Sequence, residues 1–191
     1  MSNDTCLIKQ ATLEERWNEI ATQVQTWYEG LPDTFMIYAT WHPEDIPFNL
    51  RDRTDTTAFP ETWYMFPMAA STMQSYHMAQ ILLLINKPQH STSGRSSVLR
   101  RLGSYRTIAA TCESHSMAIC NIARSKPNAS VRIHSVQPLF IAGQCLRQRE
   151  ERLEVLELLR SIEFDTGWAT EYRVQQLLVE WGWTNRSIDT A

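Results

Sequence analysis

The chain has 191 residues, 43% of them hydrophobic and 20% charged, with a formal net charge of −3. That length suits one domain with a real core, and the composition excludes a disordered or fibrous chain. The negative balance gives no global field toward nucleic acid phosphate. The longest aliphatic run, Ile81–Ile85, falls far short of the ~18 apolar residues that span a bilayer. The polar start MSNDTCLIKQ lacks the pattern of a secretory signal, so the chain is expected to stay inside the cell.

The first predicted element is a helix. Thr12 and Glu15 fit a capping box, and Leu13, Trp17, Ile20, Val24 and Trp27 recur at three- and four-residue spacing. Gly30 and Pro32 end it near Glu29. Residues 31–60 read as one long loop, because Pro32, Pro43, Pro47 and Pro60 interrupt them. Within that stretch TFMIYATW has the composition of a short strand, but no second strand is evident to pair with it.

Apolar and small residues resume from Trp63 to Ile85 and predict a long, largely buried helix closed by Pro88. QHSTSGRSS reads as a surface loop. A helix from about Val98 to Arg124 is expected to face Leu102, Ile108, Cys112, Ile119 and Ile122 inward, with Ala109, Ala110, Ser116 and Ala118 admitting a close neighbour. VRIHSVQPLFIAGQCLRQ is helix-like, with a kink or fresh start expected at Pro138.

The plainest helix is REERLEVLELLRSIEFDTG. Val155, Leu158, Leu159 and Ile162 form one stripe, charges occupy the opposite face and Gly167 stops it. Val174, Leu177, Leu178 and Trp181 mark a last helix with Thr170 as its N-cap. The fold class that follows is all-α, an irregular bundle of about six helices with a long loop after the first, in a single domain over 1–191.

No Gly-rich phosphate loop, acyl-transfer elbow or HExxH pattern occurs, so no catalytic, cofactor-binding or metal-ligating residue is assigned. Cys6, Cys112, Cys120 and Cys145 read as reduced thiols; Cys112 and Cys120 sit ~12 Å apart along a helix, beyond the ~7 Å a disulfide spans. His42, Glu44 and Asp45 read as a solvated loop, and His77 and His115 as hydrogen-bonded core histidines. Arg95, Arg100, Arg101 and Arg106 suit phosphate, an acidic partner or an anionic ligand, against the simpler reading of a solvated face. Of seven tryptophans, Trp17, Trp27, Trp168 and Trp181 are expected in the core.

The order LEERWNEIATQVQTWYEGLP, FPETWYMFPMAASTMQSYHMAQILLLINKP, IARSKPNASVRIHSVQPLFIAGQCL and ERLEVLELLRSIEFDTGWATEYRVQQLLVEWGW resembles the fungal-specific transcription factor domain. That domain is the helical regulatory region C-terminal to the zinc-cluster DNA-binding module of fungal regulators. The resemblance runs from Trp17 to Trp183. It implies a nuclear regulator, the cytoplasm remaining open, whose helical domain contacts protein partners, self-associates or senses a small-molecule effector.

The six-cysteine basic segment of the family's DNA reader has no counterpart here, and neither does the part of the region preceding the tryptophan helix. No specific nucleic acid binding by this chain and no membrane partner is therefore expected, and the first helix is expected to display apolar surface built for missing neighbours. The rival readings are a helical ligand-binding or scaffold protein outside transcription and, more distantly, a helical enzyme.

Overall fold

A computed structural model of the chain describes residues 2–42, 45, 58–88 and 95–183, without the side chains of 2–9, 95–98 and 100. In chain order it contains α1 (Ser2–Glu29), a 3-10 turn (Asp33–Phe35), β1 (Ile37–Trp41), β2 (Glu61–Tyr64), α2 (Pro67–Ile85), α3 (Arg95–Arg124), α4 (Ala129–Cys145), α5 (Arg149–Thr166) and α6 (Glu171–Glu180). The architecture is mostly α, six helices with one small two-stranded sheet. Among the described residues no helix is long and apolar enough to cross a membrane.

α4 is the buried centre. Val131, Ser135, Val136, Pro138, Leu139, Phe140, Ala142 and Gly143 are all buried and form a face wider than a single stripe, while Ser130, His134, Gln137 and Gln144 line the exposed side. α2, α3, α5 and α6 all pack on it, α2 against α3 and α5 against α6. Asn128 caps its start by accepting a hydrogen bond from the Val131 N–H at 3.1 Å. The fresh start anticipated at Pro138 is absent: α4 is a single helical element with the proline inside it. Gly143 is required where it stands. A Cβ there would meet Leu177 side-chain carbons at 3.0 and 3.2 Å and a Val155 methyl at 3.3 Å.

One buried polar tie joins three helices. Gln74 on α2 donates through Nε2 to the Ile119 carbonyl of α3 at 3.3 Å, and Ser135 on α4 donates to Gln74 Oε1 at 2.7 Å. Because each group is desolvated, removing one member strands the others.

α5 follows its predicted stripe from Arg149, and Gly167 ends it in the left-handed region at φ 71°. Thr170 precedes α6 as expected but does not cap it with its own side chain. Its hydroxyl donates instead to the Leu159 carbonyl at 2.7 Å. The cap comes from Glu163, whose Oε2 accepts from the N–H groups of Thr170 and Glu171 at 2.7 and 2.9 Å. Those bonds hold the Glu163 carboxyl below its ordinary pKa.

Three boundaries differ from the sequence expectation. α1 begins ten residues before Thr12, so the Thr12/Glu15 pair lies inside the helix rather than at its start. The 31–60 stretch is not all loop. Ile37–Trp41 forms β1 and finds its partner in β2, with Ala39 opposite Trp63, Thr40 opposite Thr62 and Trp41 opposite Glu61 in antiparallel register. α2 therefore starts at Pro67, whose fixed φ suits the first helical turn, and Trp63 belongs to a strand. Phe59, just before β2, is fully buried in the main core, and the Ala58 N–H is tied to the Glu154 carboxylate of α5.

The crowding at Gly143 yields a direct expectation. Gly143→Leu forces α4 away from α5 and α6 and is predicted to lower stability by about 1–3 kcal/mol, read as a fall in the urea midpoint with unchanged slope.

Candidate functional site

The two histidines that fall on helix interiors meet. His77 on α2 and His115 on α3 place their Nδ1 atoms 2.9 Å apart, with the Tyr76 ring edge-on to both at 5.3 and 6.5 Å. One ring must carry its proton on Nδ1 and the other on Nε2, since two Nδ1–H groups cannot face each other at that distance. Burial first, and then the charge of His115, pushes His77 down to about 4; burial pushes His115 down as well. Among the described residues no carboxylate hydrogen-bonds either ring, so the geometry provides a shared proton and a packing tie rather than a base oriented by an acid.

Other buried polar groups also meet neighbours, although among the described residues Asn121 Oδ1, Glu151 Oε2, Glu154 Oε1 and Arg173 Nε accept or donate no hydrogen bond. Cys112 hydrogen-bonds Cys145, which also meets Ser116; burial raises the Cys112 thiol to about 11 and the Cys145 thiol in the same direction, leaving little thiolate at neutral pH. Cys112, Cys120 and Cys145 are free thiols. Glu154 accepts from the Ala58 N–H and lies 3.6 Å from the Arg124 guanidinium. Among the described residues no group of three or more His, Cys, Asp or Glu side chains is placed to hold a metal ion.

Elsewhere the sequence candidates separate. The His42 N–H donates to the Asp45 carboxylate at 3.0 Å, a turn-forming contact; Glu44 lies outside the described residues. Arg101 and Arg106 are exposed on α3, while the side chains of Arg95 and Arg100 lie outside the description. Leu102, expected to face inward, is exposed, because the first buried described side chain of α3 is Cys112, almost three turns later. Trp181 is half-buried and donates to the Gly143 carbonyl at 3.2 Å, and Trp17 donates to the Leu83 carbonyl of α2 at 2.7 Å. Trp27 and Trp168 are exposed, contrary to the core placement their spacing suggested.

What the structure presents is surface. On α1, Trp17, Val24 and Tyr28 turn toward α2, where Tyr28 stacks on Tyr76 at 4.4 Å. The alternate members of the same repeat, Leu13, Ile20 and Trp27, are exposed. Between α1 and α2 opens a cleft of about 440 Å³ walled by Trp27 and Tyr76, with Ser71, Thr72 and Ser75 along one side. A second cleft, about 560 Å³, lies on the sheet among Tyr38, Trp41, Trp63 and Tyr64. The sheet cleft escapes sequence reasoning because its strands are brought together only by the fold.

The chain is similar to the transcription activator AMTR1 of Alternaria alternata, 46% identical over 166 residues. That match spans 87% of this chain and 22% of the activator, so the chain corresponds to about a fifth of the length of that relative. No family model matches the sequence. No solved structure matches it.

The histidine pair sets a pH dependence. His77 has a pKa of about 4 when folded against 6.5 ordinarily, so between those values the unfolded chain binds more protons and stability falls as pH falls. The imidazole 15N shifts at about pH 5 are expected to report His77 as neutral; a ring titrating with a midpoint near its ordinary value contradicts the buried pair.

Proposed function

We propose that this chain regulates transcription as a helical regulatory domain of the fungal zinc-cluster type, acting through protein or effector contacts and without a DNA reader of its own. The observation that carries the reading is the 46% identity to a protein named as a transcription activator. Because the match covers 87% of the chain, it takes in most of the α2–α6 core and is not the likeness of one helix. In this reading the chain is one domain, works in the nucleus and has no catalytic role.

The geometry supports contact as the mode of action. Exposed apolar residues are grouped, on α1 at Leu13, Ile20 and Trp27 and on the sheet at Tyr38, Trp41 and Trp63, as interaction surfaces are. The cleft between α1 and α2 favours a second, compatible role in effector sensing, since it pairs two aromatic walls with hydroxyl-bearing side chains. A ligand seated there would draw α1 onto α2 and so couple the cleft to the exposed seam of α1.

Fusing the chain to an unrelated DNA-binding module upstream of a reporter tests the reading in a fungal host. The expected outcome is reporter output changed relative to the module alone, in either direction, together with nuclear accumulation of a tagged chain. Unchanged output with a wholly cytoplasmic chain contradicts the proposal and favours a ligand-binding or scaffold role outside transcription.

A further inference from the structure

α3 outruns the helices around it. Its 30 residues extend about 45 Å, while α2 has 19 residues and α4 has 17. Leu102, Tyr105, Ile108, Cys112, Ser116 and Ile119 succeed one another at spacings of three and four and so form one stripe. Exposure along that stripe climbs from 0% at Ile119 and 3% at Cys112, through half-buried Ile108, to 47% at Tyr105 and 49% at Leu102. The face that packs the core thus continues beyond the core's end, still apolar and uncovered. Leu99 beside it is 77% exposed.

Two independent features mark this half of α3 as a place that something covers. Gly103 sits within the helix, where glycine costs about 1 kcal/mol relative to alanine, and a Cβ built on it meets no atom within 4 Å. Packing among the described residues gives no reason for a glycine there; close approach of another backbone does.

The second feature is charge. From Arg95 to Cys112 the helix carries Arg95, Arg100, Arg101 and Arg106 and no acid, Glu113 being its first, in a protein of net charge −3. Arg101 and Arg106 are exposed and, among the described residues, form no ion pair. Guanidinium groups beside exposed leucines and a tyrosine complement a partner that is at once acidic and apolar. A phosphate backbone satisfies the arginines alone and leaves Leu99, Leu102 and Tyr105 uncovered.

We propose that the projecting half of α3, Leu99 to Thr107, docks an acidic segment with an apolar face from another protein. The proposal rests on the reading of the chain as a module that works by contacts. The arginines set orientation and the rate of encounter, the Leu99/Leu102/Tyr105 stripe supplies the buried area, and Gly103 allows close approach.

Titrating the purified chain into a labelled synthetic helix whose leucine stripe is flanked by glutamates tests this. Saturable binding that weakens with added salt is expected, reduced by about tenfold or more in the R101E/R106E double variant and in L102S. Circular dichroism melts of both variants are expected to match the parent, because all three side chains stand outside the core. The surface is overturned by absence of binding, by equal binding of the same leucine-stripe helix flanked with lysines, or by unchanged affinity in the variants. Tighter binding of duplex DNA or of phosphatidylserine vesicles through the same arginines also overturns it. Failure here, with a tethered chain that still alters a reporter, removes this surface and leaves the regulatory reading intact.

Discussion

A helix that buries a broad apolar face needs neighbours along more than one flank, and α4 imposes that constraint, leaving only the side of Ser130, His134, Gln137 and Gln144 to solvent. Val131 and Val136, Leu139 and Phe140, and Ala142 and Gly143 point in different directions around its axis, and each direction needs a partner. α2 and α3, packed on each other, and α5 and α6, packed on each other, supply those partners. Gly143 sets how closely the second pair can approach, since Leu177 and Val155 fill the space a side chain would take. The Gln74–Ser135 hydrogen bond fixes the first pair against sliding, because an apolar interface alone tolerates small shifts that a buried polar contact does not. Even the chain ahead of β2 is drawn in, through buried Phe59 and the Ala58–Glu154 bond.

The same arrangement leaves the molecule unevenly covered. Burial is concentrated in α2, α4, α5, α6 and the second half of α3. α1 has no buried side chain among those described, and no described side chain of α3 before Cys112 is buried. α1 is held to α2 by the Trp17–Leu83 hydrogen bond and the Tyr28–Tyr76 stack, fixed but one-sided contacts. A regulatory domain acting through contacts suits this division, with a rigid centre and apolar helical surfaces displayed around it. Similarity to about a fifth of a longer activator fits the same picture.

How much of this was legible in the sequence depends on the range of the interaction. α5 could be read nearly end to end, because its stripe and its Gly167 stop are local and its charged face is continuous. The β1–β2 pair could not, because the strands lie on either side of the proline-bearing stretch and the partner, Glu61–Tyr64, is too short to announce itself. Spacing identified the stripe of α1 and that of α3 but not whether each had a partner, so Leu102 and Trp27 were expected inside and stand outside. For the candidate site, the helical placement of His77 and His115 was readable, while their 2.9 Å meeting across two helices was not. Glu163 as the cap of α6 was invisible for a related reason: it reaches a helix start seven residues away across a turn. The arginine cluster was plain as a pattern, and its meaning changed only when the apolar stripe beside it proved uncovered.

One continuous helix, α3, is half core and half projection. Native-state hydrogen exchange resolved along α3 measures this most directly, since protection follows the free energy of local opening. Amides from Cys112 to Ala123 are predicted to exchange at the slow, globally limited rate shared with α4 and α5, and amides from Leu102 to Thr107 to exchange much faster by local fraying. Uniform slow exchange along the whole of α3 in the isolated protein would contradict the account, because it would mean that the Leu102 end is already covered.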